Sequence, residues 1–209
     1  LGYVGAGGLL VTIDRNDYWQ CGYIIPKGAF ATTKSLGLDE LRSRVAALAP
    51  FLSERVQELR VWDEVKLLEV RVDRLERWYR PGLLYIGDAA HAMSPIGGIG
   101  INLAIQDAVA SANVLQPALE RRGPIANSVL AAIQARRQWP TAMTQNMQIF
   151  IQKRVIAGIL NSKTAPKRGP LLLHLFGVMP VLQGIPAYLV GIGFRPEHVR
   201  LGNAEPVAR

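Results

Sequence analysis

Within one short stretch the chain sets an acid, a histidine, a proline, three glycines and an amide: Asp88, His91, Pro95, Gly97, Gly98, Gly100 and Asn102. A carboxylate accepts hydrogen bonds from hydroxyl groups and repels phosphate, so Asp88 suits a polyol better than a phosphate. Glycines without Cβ atoms let the backbone approach a flat ligand closely, and Pro95 stiffens the loop where it would pass one. The chemistry this set supports is the binding of an anionic or carbonyl-bearing molecule. Acid–base or nucleophilic chemistry has no comparable support, because no carboxylate pair and no Ser–His–Asp constellation can be assigned. His91, His174 and His198 are scattered without metal-ligand spacing, so no metal site is expected.

The elements that must position these residues are legible around them. Leu83 to Ile86 is an apolar run with the length of a buried strand. A helical pattern begins near Ile99, with Ile101, Ala104, Ala108, Ala112 and Leu115 three or four residues apart. The first N–H groups of that helix are unpaired and carry the positive end of its dipole. Strand, glycine-rich turn and helix together present backbone donors to an anion. Asp88 falls just past the strand's C-terminal end, where ligands of open α/β sheets collect.

A glycine-rich loop alone is a weak signal, and the spacing here is neither that of a dinucleotide fingerprint nor that of a phosphate loop. The longer string is more specific. Gly87-Asp88-Ala89-Ala90-His91, followed by Ser94-Pro95, Gly97-Gly98, Gly100, Asn102 and Gln106-Asp107-Ala108, resembles the second FAD motif of the p-hydroxybenzoate hydroxylase-like aromatic-ring flavoprotein monooxygenases. The resemblance implies that Asp88 binds the ribityl chain of FAD and that Pro95, Gly97, Gly98 and Gly100 pass the isoalloxazine ring, with Asn102 nearby. Gly87 and Ile101 are counted with them as cofactor-binding residues. It further implies NAD(P)H as reductant and O2 as co-substrate, with a hydroxyl transferred to an aromatic or conjugated small molecule. No protein residue is assigned as catalytic, since the flavin would carry the chemistry; Pro95 is placed near it. A halogenase, a prenyl-chain reductase and a non-catalytic binding module are the competing readings.

The same resemblance implies an α/β (mixed α+β) fold. A substrate-domain β-sheet would occupy 1–78, the C-terminal part of a Rossmann-like FAD domain 79–164, and an apolar, basic helical tail 165–209. The chain starts at Leu1 without an N-terminal GxGxxG fingerprint; Gly5-Ala6-Gly7-Gly8 has no strand before it to serve as one. It therefore reads as the later portion of a longer protein.

Composition agrees with a globular chain: 49% of the 209 residues are hydrophobic and 19% charged. Of the net charge of +8, +6 falls after residue 150, where eight basic and two acidic side chains lie. No nucleic-acid-binding motif accompanies them, so a solvated basic face is expected, and homo-oligomerisation is a further option. Peripheral membrane contact of the tail is a less favoured alternative. Cys21 is the single cysteine, which excludes an internal disulfide, suits a reducing cytoplasm and reads as a small buried hydrophobe.

In chain order, Leu9 to Arg15 and Tyr18 to Pro26 read as strands joined at Asn16-Asp17. Trp19, Cys21, Tyr23 and Ile25 share one face, and Trp19, Gln20 and Tyr23 are candidates for a substrate-covering wall. A helix is expected from Leu38 to Leu48 with Asp39 as N-cap and Pro50 as stop, then a short helix over Ser53 to Leu59. Lys66 to Arg74 alternates like a half-exposed strand. Pro117 and Gly123-Pro124 are read as breaks, and helices over 127–139 and 141–159 are expected to flank Pro140. Arg136 and Arg137 are assigned to a solvated face, and His91 to a structural hydrogen bond in its turn. Beyond Thr164 the apolar stretches are broken by Pro180, Gly184, Pro186, Gly191 and Gly193, which leaves none long enough to cross a membrane.

Overall fold

The computed structural model describes residues 1–5, 7–162 and 180–200. The chain is a mixed α/β protein that divides into two compact units. One comprises Leu1–Glu69 with the segment that starts at Phe150; the other comprises Val70–Ile149 with the segment that starts at Phe176.

In the first unit, β1 (Gly2–Gly5), β2 (Gly8–Asp14) and β3 (Trp19–Ile24) form an antiparallel sheet in that order. The β2–β3 register runs from Leu9↔Ile24 to Asp14↔Trp19. The turn between them takes Asn16 to φ 69°, a region asparagine tolerates, and the Asp14 carboxylate accepts the Asn16 N–H. Pleating sends Leu10 and Thr12 to one face, where Leu10 is fully buried with Ala49 and Leu52. Val11 and Ile13 go to the other face and are exposed.

Two short helices follow, α1 (Phe30–Ser35) and α2 (Leu38–Leu48). Val45 and Leu48 of α2 pack on the Leu10 cluster. Gly37 is the N-cap of α2, while Asp39 sits inside the first turn and pairs with Arg42. Pro50 ends the helix and opens a single 3-10 turn, Pro50–Leu52. The short helix expected over Ser53 to Leu59 is reduced to one 3-10 turn, Val56–Glu58. A strand, β1, does precede Gly7-Gly8, contrary to expectation, but another strand follows instead of a helix, so no nucleotide fingerprint results.

The second unit is built on two long helices, α3 (Ile99–Glu120) and α4 (Asn127–Ile151). Both run through a proline expected to break them, Pro117 and Pro140. Each proline forfeits one backbone hydrogen bond, and the remaining ladder and the packing of the helix tolerate the loss. The chain that follows α4, a π turn, Gln152–Ile156, and a short α5 (Ala157–Asn161), belongs to the first unit. A further helix, α6 (Pro180–Gly191), runs through Gly184 and Pro186, both also read as breaks. Most of the expected C-terminal tail (165–209) lies outside the described residues. Among them, no helix is long and apolar enough to cross a membrane.

Lys66 to Arg74 forms no strand, and Leu68 is 74% exposed. Alternation needs a partner strand, and among the described residues this run and its continuation meet no ladder, although the Asp73 and Leu75 N–H groups donate to the Ala92 and Ala90 carbonyls. Leu83 to Ile86 is likewise not a buried strand. Only β5 (Leu83–Leu84) pairs, with β4 (Tyr79–Arg80), and Leu83 is exposed.

Candidate functional site

The buried face of α3 differs from the one expected. Ile101 is 68% exposed and Ala108 and Ala112 are exposed, whereas Ile99, Leu103, Gln106, Asp107, Ala110 and Ser111 are buried. In an alanine-rich helix hydrophobic spacing barely distinguishes neighbouring faces, and here polar pairing decides. The fully buried Asp107 carboxylate accepts the Gly87 N–H at 3.1 Å, bonds His91 Nε2 at 2.5 Å, and accepts Arg137 Nε–H at 2.8 Å. Burial, the largest influence, raises the Asp107 carboxyl; hydrogen bonds from His91, Arg137 and Gly87, with the His91 charge, outweigh it and hold the group below its ordinary range.

Arg136 and Arg137 are therefore not on a solvated face. Arg137 is fully buried, and its guanidinium also donates to the Gln106 side chain and the Arg195 carbonyl. Arg136 makes two hydrogen bonds, at 2.6 and 2.7 Å, to the buried Glu197 carboxylate. A sequence signal existed: Arg137 falls on the stripe of Leu130, Ile133, Gln134, Thr141 and Gln148, all buried on α4.

Above this network lies the loop that carries the candidate residues. Gly87–Ala89 is a 3-10 turn that packs on α3. Gly87 has φ 57°, and a Cβ there would meet the Ala104 Cβ at 3.0 Å, so both conformation and space require glycine. Its carbonyl accepts the Ala90 and His91 N–H groups. Asp88 follows it, exposed, with no hydrogen bond or ion pair to another described residue. His91 is buried, with its ring 5.0 Å from that of Trp78 and its Nδ1 without a partner among the described residues; its side-chain hydrogen bond is structural but reaches Asp107 on α3 and does not close within its own turn.

Pro95, Gly97 and Gly98 are exposed, and Gly98, at φ 65°, is the N-cap of α3. No side chain caps that helix, which leaves its first N–H groups to a ligand or solvent. Gly100 lies inside the first turn of α3, where a Cβ would meet Met93 at 3.3 Å. Asn102 is directed elsewhere: its amide donates to the Val190 carbonyl at 3.4 Å and the Gly191 carbonyl at 3.0 Å, at the end of α6. The donors of an uncapped helix, an open glycine N-cap and an unpartnered carboxylate on one loop fit a ligand with carbonyl and hydroxyl groups, which is what FAD presents on its ring and ribityl chain.

Trp19, Gln20 and Tyr23 belong to the other unit. Trp19 and Tyr23 are partly buried and pack against the Leu10 cluster. Gln20 pairs across from Ile13 on the open sheet face and accepts a hydrogen bond from Arg15. Cys21 is exposed, not buried as expected, although partial burial of its thiol still pushes its pKa up. No group of residues suited to a metal ion occurs among the described residues.

Residues 22–147 match the FAD binding domain family. The chain belongs to that family. FAD is accordingly its cofactor. The chain is 34% identical over 183 residues to 6-methylpretetramide 4-monooxygenase of Streptomyces rimosus, covering 87% of this chain and 44% of that protein. It is 26% identical to aklavinone 12-hydroxylase DnrF of Streptomyces peucetius, over 78% of this chain and 29% of the relative. With kynurenine 3-monooxygenase of Xanthomonas euvesicatoria pv. vesicatoria it shares 36% identity over 58% of this chain and 26% of the other. A crystal structure of PqsL of Pseudomonas aeruginosa, described as a probable FAD-dependent monooxygenase, superposes with a TM-score of 0.57. That match covers 77% of this chain and 46% of PqsL at 23% identity, and it shows the fold. This FAD binding domain chain spans under half the length of these relatives.

Proposed function

We propose that this chain forms the wall of an FAD site that faces the ribityl chain and the ring, within a monooxygenase that hydroxylates an aromatic or conjugated small molecule. The observation that carries the reading is the coincidence, on one loop, of the unpartnered Asp88 with the uncapped N-terminus of α3 behind Gly98. Asp88 would accept hydrogen bonds from ribityl hydroxyls. The N–H groups at the start of α3 would face carbonyl oxygens of the ring system, with the helix dipole favouring negative charge there. Pro95, Gly97 and Gly98 would leave a flat edge for the ring, with Ile101 beside them. Bound FAD supplies oxygen-transfer chemistry, with NAD(P)H as the reductant; the protein binds, orients and excludes water.

Oxygen transfer is favoured over halogenation or prenyl-chain reduction because the relatives that cover most of the chain are named as a monooxygenase and a hydroxylase. The nucleotide-binding fingerprint absent from this sequence would be contributed by another part of the same cytoplasmic protein or by a second subunit. Domain bounds of 1–78, 79–164 and 165–209 are proposed for the substrate sheet, the FAD portion and the tail.

The test is a visible spectrum of the purified protein after FAD addition and removal of unbound flavin, repeated for Asp88→Ala. A retained, perturbed flavin spectrum that weakens at least tenfold in affinity in the variant is expected. Unchanged flavin affinity in Asp88→Ala would remove Asp88 from the site. NAD(P)H oxidation with product analysis then separates hydroxylation from the alternatives.

A further inference from the structure

Asp107 stands one helical layer below the candidate site and touches no surface. Its carboxylate nevertheless takes three donors from two segments: the Gly87 N–H at 3.1 Å and His91 Nε2 at 2.5 Å from one turn, and Arg137 Nε at 2.8 Å from α4. Gly87 is thereby held at both ends of its peptide units. Its N–H is fixed from beneath by α3, and its carbonyl is fixed by the Ala90 and His91 N–H groups. The next residue is Asp88, whose own side chain has no partner among the described residues to orient it. Whatever holds the Asp88 carboxylate outward must therefore act through the backbone, and the nearest fixed point in that backbone is Gly87.

We infer that Asp107 is a positioning residue for the cofactor site: it sets the Gly87–Asp88 turn, so that FAD affinity at Asp88 depends on a buried carboxylate that never touches FAD. The inference rests on the proposed role of Asp88. Arg137 and His91 complete the device. Arg137 keeps the buried carboxylate ionised and so acceptor-only, and His91, from the far end of the same turn, holds the oxygen that also receives Gly87. Replacing Asp107 alone would strand the Arg137 cation in the interior, so the useful variant neutralises both: Asp107→Asn with Arg137→Gln.

Two measurements decide. The first is amide hydrogen exchange in the protein without FAD. The Gly87 N–H lies outside any helix or strand ladder, yet in the unaltered chain it should exchange as slowly as the centre of α3. In the paired variant it should exchange at least tenfold faster, while α3 amides and the circular dichroism spectrum hold. Fast exchange at Gly87 in the unaltered chain, or no change in the variant, overturns the inference and needs no flavin.

The second is a double-mutant cycle on FAD affinity. The paired substitution should weaken FAD at least tenfold when Asp88 is present and less than about threefold in an Asp88→Ala background, because the two act through one contact. Equal losses in both backgrounds would show a general structural effect and overturn the positioning role. Should Asp88→Ala by itself leave FAD affinity unchanged, the site assignment fails instead, and the exchange result still reports on Asp107.

Discussion

Gln148 grips Ser94 by both edges of its peptide: its side-chain oxygen accepts the Ser94 N–H at 3.1 Å, and its nitrogen donates to the Ser94 carbonyl at 2.8 Å. The same nitrogen donates to the Ile96 carbonyl at 3.0 Å. Gln145 serves the Asp73 and Ala92 carbonyls, and Gln134 serves the Trp78 N–H and the Glu76 carbonyl. Three glutamines along the buried face of α4 thus satisfy segments that lack a strand ladder. That explains a polar stripe in a helix interior, because buried backbone groups must be paired somewhere.

Loss of the Gln148 amide should therefore be costly. Gln148→Ala leaves buried donors and acceptors unpaired at about 1–3 kcal/mol each, with partial relief by water, so a loss of roughly 2–4 kcal/mol is expected. Gln148→Glu keeps the acceptor for Ser94 N–H but sets a carboxylate against two carbonyls, and should be at least as damaging. Urea denaturation checks both, and a Gln148→Ala protein within about 0.5 kcal/mol of the original would show that the grip contributes nothing.

Gly87 is constrained twice, by φ 57° and by the Ala104 Cβ. Gly87→Ala should cost about 1–2 kcal/mol from the left-handed backbone alone, plus the contact with Ala104. Ala104→Gly should cost about 1 kcal/mol as an ordinary helix substitution. Combined, they should destabilise by less than their sum, since the second opens the space the first needs. Strict additivity in thermal melts would place the entire effect in the backbone and none in the contact.

What could be read from sequence was local. The β2–β3 pair was legible because Asn16 sits at a turn it tolerates, and the start of α3 because a glycine run precedes a helical pattern. The faces were not. Arg136 and Arg137 read as solvent-seeking; that Arg137 is buried follows only once it is seen to pair with Asp107, thirty positions away. Pro117 and Pro140 read as breaks because local propensity records the lost hydrogen bond and not the tertiary contacts of the helix. Trp19 and Tyr23 share a face, as alternation dictates, but alternation does not say which face meets α2. The Asp88 loop was recognisable as a motif, whereas the support beneath it was not.

Acid should loosen the second unit through Asp107. Its pKa in the fold is held below the ordinary 3.8 by His91, Arg137 and the Gly87 N–H against the opposing effect of burial. A depressed folded pKa contributes stability that is complete above the unfolded value and is lost as pH falls through the folded one. The melting temperature should thus hold steady above about pH 5 from this source and fall below pH 4. The Asp107→Asn, Arg137→Gln protein should lack that component, so its melting curve should be flatter between pH 4 and 2.5. Parallel curves for the two proteins would locate the acid-sensitive group elsewhere.

Glu197 and Arg136 join the last described segment to α4, and their burial is unequal. The Glu197 side chain is 1% exposed and that of Arg136 32%, with Arg137 Nη1 3.8 Å from the same carboxylate. Removing the arginine strands a buried anion with one distant cation. Removing the glutamate frees an arginine that reaches water and leaves Arg137 paired with Asp107. Arg136→Leu should therefore cost more, about 2–3 kcal/mol, than Glu197→Gln. In the Glu197→Gln background, Arg136→Leu should cost under about 1 kcal/mol, because no buried charge is then left behind. Denaturant melts of the two single variants and the double one measure the coupling directly. Equal costs for the two single substitutions would mean that the carboxylate reaches water when its partner is removed, and that the pair holds this segment no more firmly than a surface ion pair would.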